Sequence, residues 1–251
     1  MSSKLENGNE TKKNKLYMWK ESGIGVYAKK KGVPRNVETL IKESHQEIGA
    51  GQWTMYISGF HQTPPIGEHA FPKKIYLEIP TNTKITFDFL ENAHHVKIIS
   101  EEMLNVLKEH GLTENYELAP VTVINRKGQE IETEKNYFAL RFYKFDNDLL
   151  DFGDVKVLNC DYDGYVITHT QVPLQKLKGL SYNMHPNMKV KEGVNKKIFA
   201  LHNTPHQPYQ KALVFTEEIK DLIVEKGFVG QNIYSMDELW KAYTDEKPEG
   251  F

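Results

Sequence analysis

The sequence is nearly without cysteine. Cys160 stands alone in 251 residues, which excludes an internal disulfide and a zinc site built on thiolates. Net charge is also almost absent, with 32 Lys and Arg against 34 Asp and Glu, so no global field attracts nucleic acid or an anionic membrane. No apolar run approaches the ~20 residues that a bilayer-spanning helix needs. The first residues are rich in Lys, Glu, Asn and Ser, with no apolar stretch before Leu16. The expectation is a chain without a secretory signal or membrane anchor. A lone thiol fits a reducing compartment, and the expected location is the cytoplasm.

Catalytic signatures are missing too. A phosphate-binding loop needs Lys-Ser or Lys-Thr after its last glycine, and Gly32 is followed by Val33 and Pro34. There is no GxSxG elbow and no HExxH. His202 and His206 have the i, i+4 spacing of helical zinc ligands, but Pro205 lies between them and Pro208 follows. His94 and His95 are neighbours ahead of a strand, where adjacent side chains point to opposite faces. Cys160 and His169 lack a marked orienting group or oxyanion hole. Asp161-Tyr162-Asp163-Gly164 and Asp146-Asn147-Asp148 are each too short of ligands for a calcium loop. No catalytic residue, metal ligand or cofactor is expected.

Hydrophobic residues make up 39% and aromatics 11% of the chain, enough to fill the core of an ordinary soluble protein. Residues 1–15 have too little apolar content to pack and are expected to be a disordered tail. Residues 16–251 are expected to form one compact domain. Strands are expected at 16–19, 25–28, 53–57, 75–79, 84–90, 116–118, 121–124, 137–143, 165–168 and 198–201. Phe138, Leu140 and Phe142 alternate on one face of the 137–143 strand. Helices are expected at 37–48, ended by Gly49, and at 236–243. Residues 59–72 and 179–193 read as connections. Strands and helices mix without strict alternation, which gives an α+β class with mixed sheets and short helices.

One pattern occurs twice. The apolar run 212–215 leads to Thr216, a helix N-cap residue type, then to Glu217 and Glu218, which suit the positive end of a helix dipole. Ile219, Leu222 and Ile223 follow at helical spacing, and Gly227 suits a left-handed C′ position. In the same register without a gap, 96–99 leads to Ser100, Glu101 and Glu102, then Met103, Val106 and Leu107, then Gly111. The repeat predicts two similar β–α lobes within halves of about 75–150 and 195–251.

The run from Lys211 to Gly230, with its Thr cap and Gly227-x-x-Gly230, resembles the C-terminal signature of a family of bacterial immunity proteins. These proteins neutralise the toxins of polymorphic toxin systems. Residues 98–102, Gly111-Leu112, Ala119-Pro120-Val121, 137–142 and Leu149-Leu150-Asp151 extend the resemblance over about 84–240. It implies a protein that is not an enzyme, whose partner is a cognate toxin domain and which occludes that toxin's active site. A small hydrolase with an unrecognised Asp/His site and a non-catalytic adaptor domain are the alternatives.

The densest carboxylate run, Asp146, Asp148, Asp151, Asp154, Asp161 and Asp163, has apolar anchors beside it in Leu149, Leu150, Phe152 and Tyr162. It is the candidate partner-binding stretch, with Lys189, Lys191, Lys196 and Lys197 as internal counter-charges.

Overall fold

The computed structural model describes residues 15–20, 32–34, 39–43, 70–80, 84–91, 96–151, 156–162, 165–171, 175–177, 180–182, 188–204 and 207–236, and for 156–182 and 202–211 the backbone only. In chain order the first elements are β1 (Leu16–Lys20), β2 (Leu40–Lys42), β3 (Ile75–Ile79), β4 (Phe89–Glu91), β5 (Lys97–Ser100) and α1 (Glu101–Glu109). Next come β6 (Tyr116–Asn125), β7 (Tyr137–Phe142), β8 (Leu150–Asp151), β9 (Lys156–Tyr162), β10 (Tyr165–Gln171), β11 (Gln175–Leu177) and β12 (Leu180–Tyr182). The last are β13 (Lys189–Val190), β14 (Ile198–Thr204), β15 (Gln207–Thr216), α2 (Glu217–Glu225) and β16 (Asn232–Ser235).

The class is α+β. One sheet runs β2-β3-β6-β7-β5-β4 and a second runs β14-β15-β1-β16. The β3–β6 pair is parallel, and its neighbours β2–β3 and β6–β7 are antiparallel, so the larger sheet is mixed.

The two β–α units match at their helix C-termini bond for bond. Glu101 and Glu102 open α1, and Glu217 and Glu218 open α2. Both helices end in a glycine at positive φ, +100° at Gly111 and +69° at Gly227. Leu112 N–H donates to the Leu107 carbonyl at 2.9 Å and Phe228 N–H to the Ile223 carbonyl at 3.1 Å. Gly111 N–H donates to Lys108 and Gly227 N–H to Val224. Each end is thus a Schellman motif, which satisfies two of the orphan carbonyls of the last turn. The caps at the other end differ. Ser100 Oγ accepts from Met103 N–H, whereas Thr216 Oγ1 is buried and makes no hydrogen bond.

The strand partners match as well. β5 lies between β4 and β7, and β15 lies between β14 and β1, all antiparallel. Ile99 faces Phe89 and Phe138, and Phe215 faces Ile198 and Tyr17. Ser100 N–H donates to the Asp88 carbonyl, and Thr216 N–H to the Lys197 carbonyl. The strand after each helix returns parallel to the one before it, because β7 separates β5 from β6 and β1 separates β15 from β16.

Equivalent residues meet in one core. Phe89, Ile99, Met103, Leu107 and Leu140 pack together with Ile198, Phe215, Ile219, Ile223 and Trp19. The Trp19 ring stacks on Phe89 at 4.2 Å between centroids and tilts against Phe215 at 4.8 Å. The opposite faces form separate clusters, one around Ile75, Leu77 and Phe87 and one around Met18, Phe199 and Val214. In α2 the structure buries Ile219 and Ile223 but leaves Leu222 half-buried, as it does Val106 in α1. The expected three-residue face is therefore narrower in α2, whereas in α1 Leu104 is buried with Met103 and Leu107, so that face is turned rather than narrowed. Ile223→Ala should destabilise by about 2–5 kcal/mol and Leu222→Ala by only about 1–2 kcal/mol. Equal shifts in urea midpoint would contradict this orientation.

Several expectations change. Residues 40–42, expected within a helix, form β2 instead, with Leu40 exposed, Ile41 buried and Lys42 half-buried. Ile41 faces Leu77 across the β2–β3 pair, and this pairing outweighs the helical spacing of Val37, Leu40 and Ile41. The expected strands at 116–118 and 121–124 are one strand, β6. Pro120 sits inside it because the β3 pairing begins only at Val121, so the prolyl nitrogen lies where β6 has a neighbour on one side. The strand expected from 84 begins only at Phe89. The 179–193 connection contains β12 and β13. The strands expected at 25–28 and 53–57 lie outside the described residues, as does the tail 1–14; the helix expected at 236–243 lies outside them beyond Met236.

Candidate interaction surface

The acidic stretch begins where β7 leaves the larger sheet and crosses to the edge of β14. Asp146 holds that crossing. Its N–H donates to the Ala200 carbonyl at 2.8 Å and its Oδ2 accepts from Ala200 N–H at 2.8 Å. Its Oδ1 accepts from Lys196 Nζ at 2.6 Å, and the same ammonium donates to Thr113 Oγ1 at 3.0 Å. Asp146 is 7% exposed, so its carboxylate serves the fold from inside.

Asp148 and Asp151 are exposed. Asp148 sits in the 3₁₀ turn 147–149, whose Leu149 N–H donates to the Asp146 carbonyl. The Asp148 carbonyl accepts from Lys191 Nζ at 2.8 Å. Asp151 faces Lys189 across the β8–β13 pair, and Leu150 and Met188 beside them pack on the outer face of the smaller sheet. Of the expected counter-charges, Lys196 pairs with the Asp146 carboxylate, Lys191 reaches the Asp148 backbone carbonyl, and Lys189 lies opposite Asp151 in the strand register. Lys197 instead pairs with Glu218 at 2.5 Å.

Asp161 lies in β9 opposite Val166. Tyr162 faces Tyr165, so only two residues, Asp163 and Gly164, separate the strands. Asp-Gly between strands is a strong hairpin signal, and it outweighs the fragment of a calcium pattern seen in the same residues. Asp154 and Asp163 lie outside the described residues, as do His94, His95 and His206. Cys160 faces Ile167 and His169 faces Leu158 in the hairpin register. Among the described residues no three His, Cys, Asp or Glu side chains gather as metal ligands.

Buried ionisable groups cluster at the seam between the two sheets. Lys97 Nζ lies 2.6 Å from Glu91 Oε1, with side chains 1% and 11% exposed. Burial pushes the Lys97 pKa below its ordinary value, against the pull of Glu91. Asp88 is 1% exposed; its Oδ1 accepts from Ser100 Oγ at 2.6 Å and Lys135 Nζ at 2.7 Å, and its Oδ2 from Val229 N–H at 2.9 Å. Tyr137 donates to the Phe87 carbonyl at 2.9 Å, and burial holds its phenol protonated well above the ordinary range. These groups join strands to one another.

The Gly227-x-x-Gly230 motif also belongs to this seam, and its two glycines have different causes. Gly227 supplies the positive φ of the helix cap. Gly230 bridges to Phe89 in parallel, and a Cβ there would come within 2.8 Å of the Phe89 carbonyl oxygen and 3.2 Å of Trp19 Nε1.

The family described as Immunity protein 43 matches residues 26–246. The chain belongs to that family. Both β–α units and the whole acidic stretch fall inside the match, and β1 precedes it. As an Immunity protein 43 member the chain has an immunity role, and its partner is in general a protein toxin. The match begins well before residue 84, so the segment that the sequence resemblance left aside belongs to the family region too. Comparison with the curated proteins gives no match. Among the described residues no helix is long and apolar enough to cross a membrane.

Proposed function

We propose that the chain binds one cognate toxin domain and neutralises it by covering its active site, as a stoichiometric inhibitor without catalysis of its own, in the cytoplasm. Family membership over residues 26–246 is the observation that supports this most strongly. Occlusion requires a complementary surface with a few buried anchors and no reactive group.

The proposed contact surface is the acidic stretch: exposed Asp148 in the 147–149 turn and exposed Asp151 in β8, Asp161 of β9, and with them Asp154 and Asp163. Asp146 supports that surface from beneath. Carboxylates suit a basic cleft, and such complementarity acts mainly on association rate while buried anchors set dissociation.

Co-expression with a candidate cognate toxin domain tests the reading: the chain should restore growth and co-purify with that domain. Asp148→Asn with Asp151→Asn should then slow association several-fold at low salt and flatten its salt dependence. Unprotected cells and no complex would remove the proposal. Unaltered association kinetics at both salt levels would remove only Asp148 and Asp151 from the interface.

A further inference from the structure

The place between β5 and β6 is held by β7, which follows β6 directly in the chain. The matching place between β15 and β16 is held by β1, which comes from the other end of the sequence. The registers are equivalent: Ile98 faces Ala139 as Val214 faces Met18, and Ala139 faces Ala119 as Met18 faces Tyr234.

We propose that β1 is a detachable closing strand, a strap whose insertion between β15 and β16 completes the C-terminal repeat and whose withdrawal opens it. Three observations support this. β15 and β16 run parallel on either side of β1, so without it each presents an unpaired backbone edge to the other, and unpaired edges are costly and adhesive. β1 fills that slot on both faces: Leu16 and Met18 join the outer cluster of the smaller sheet, and Tyr17 and Trp19 join the shared core. Finally, β7 is leashed to its neighbour by the short connection 126–136, whereas Tyr17 and its α2 contact Glu217 are 200 residues apart. Only non-covalent contacts hold β1 beside β15 and β16, so it can leave without unzipping a turn.

Native-state hydrogen exchange on the full chain tests the strap. Among the described residues Met18 clusters with its own sheet and that sheet's outer cover rather than with the shared core, so Met18→Ala weakens the insertion from the outer face. Exchange in β15, α2 and β16 should accelerate at least about ten-fold, while β5, α1 and β7 change less than about two-fold. Leu16→Val, a milder change in the same cluster, should give the same pattern at smaller amplitude and covers the case in which Met18→Ala does not fold. As a control, Ile98→Ala in β5 should accelerate exchange in β5 and β7. Equal acceleration in both halves with Met18→Ala or Leu16→Val, or none in β15 and β16, would overturn the proposal.

Discussion

Replacing Lys97 with Leu should destabilise the protein by about 3–5 kcal/mol, because it takes from the buried Glu91 carboxylate the ammonium that contacts it directly. Adding Glu91→Ala should recover most of that loss. The pair is buried, with Lys97 Nζ 2.6 Å from Glu91 Oε1, so the contact replaces part of the hydration that each charge loses. The matching pair in the second repeat, Leu213 facing Ala200, is apolar and sits in the same core. That is a natural example of the replacement. A buried ion pair exchanged whole for apolar residues is often neutral or stabilising, and the double variant should lie within about 1 kcal/mol of the parent. Urea unfolding of the parent, both single variants and the double variant gives the coupling directly. Additive losses would mean that the pair is not a closed unit and that the two repeats are not interchangeable at this position.

Asp146→Ala should cost about 2–4 kcal/mol, and Asp146→Asn about half of that. The alanine variant leaves Ala200 N–H and the Lys196 ammonium without their acceptor at a partly enclosed site. The asparagine variant keeps an oxygen for Ala200 and loses only the charge. By contrast, Asp148→Asn and Asp151→Asn, both exposed, should stay within about 0.5 kcal/mol of the parent. Thermal or urea unfolding separates the two groups. If Asp146→Ala were as stable as the surface variants, the crossing from β7 to the β14 edge would not depend on its carboxylate.

The two repeats seal each other's edges in the same manner. Glu91 and Ala200 are equivalent edge positions, and each has its N–H and carbonyl paired by a residue of the other half. Gln231 Oε1 accepts from Glu91 N–H at 3.0 Å and Gln231 Nε2 donates to its carbonyl at 3.2 Å. Asp146 does the same for Ala200. This arrangement explains why a charged residue in an acidic stretch is buried.

Local signals in the sequence reported local structure faithfully. Ser100, Thr216 and the paired glutamates mark helix starts, Gly111 and Gly227 mark their ends, and alternation in 137–142 marks β7. The one-register match of the two units held through to the hydrogen bonds that end the helices, but the side-chain cap expected of Thr216 forms only at Ser100. What the sequence did not reveal depended on distant chain. Leu40 to Lys42 form a strand because β3 lies beside them. Pro120 is tolerated because β3 begins one residue later. Gly230 reads as part of a helix-end motif, yet its cause is the Phe89 backbone some 140 positions away, as its neighbour Gln231 also shows. In the acidic stretch, Asp146 and Asp148 look alike in sequence, and only the nearby edge of β14 makes one internal and the other exposed. In sequence the Asp163-Gly164 pair reads only as a fragment of a calcium loop, and β9 before it is not expected, although Asp-Gly between two strands is a hairpin signal.

The most direct test of the account is a titration of the purified cognate toxin domain with this protein, following the toxin's own activity. A binding inhibitor predicts activity falling linearly to zero at one equivalent, with active toxin recovered when the complex is dissociated. Loss of toxin activity at a small fraction of an equivalent, or a toxin left permanently altered after the protein is removed, would show turnover and contradict it. A tight complex that leaves the toxin fully active would contradict occlusion of the active site.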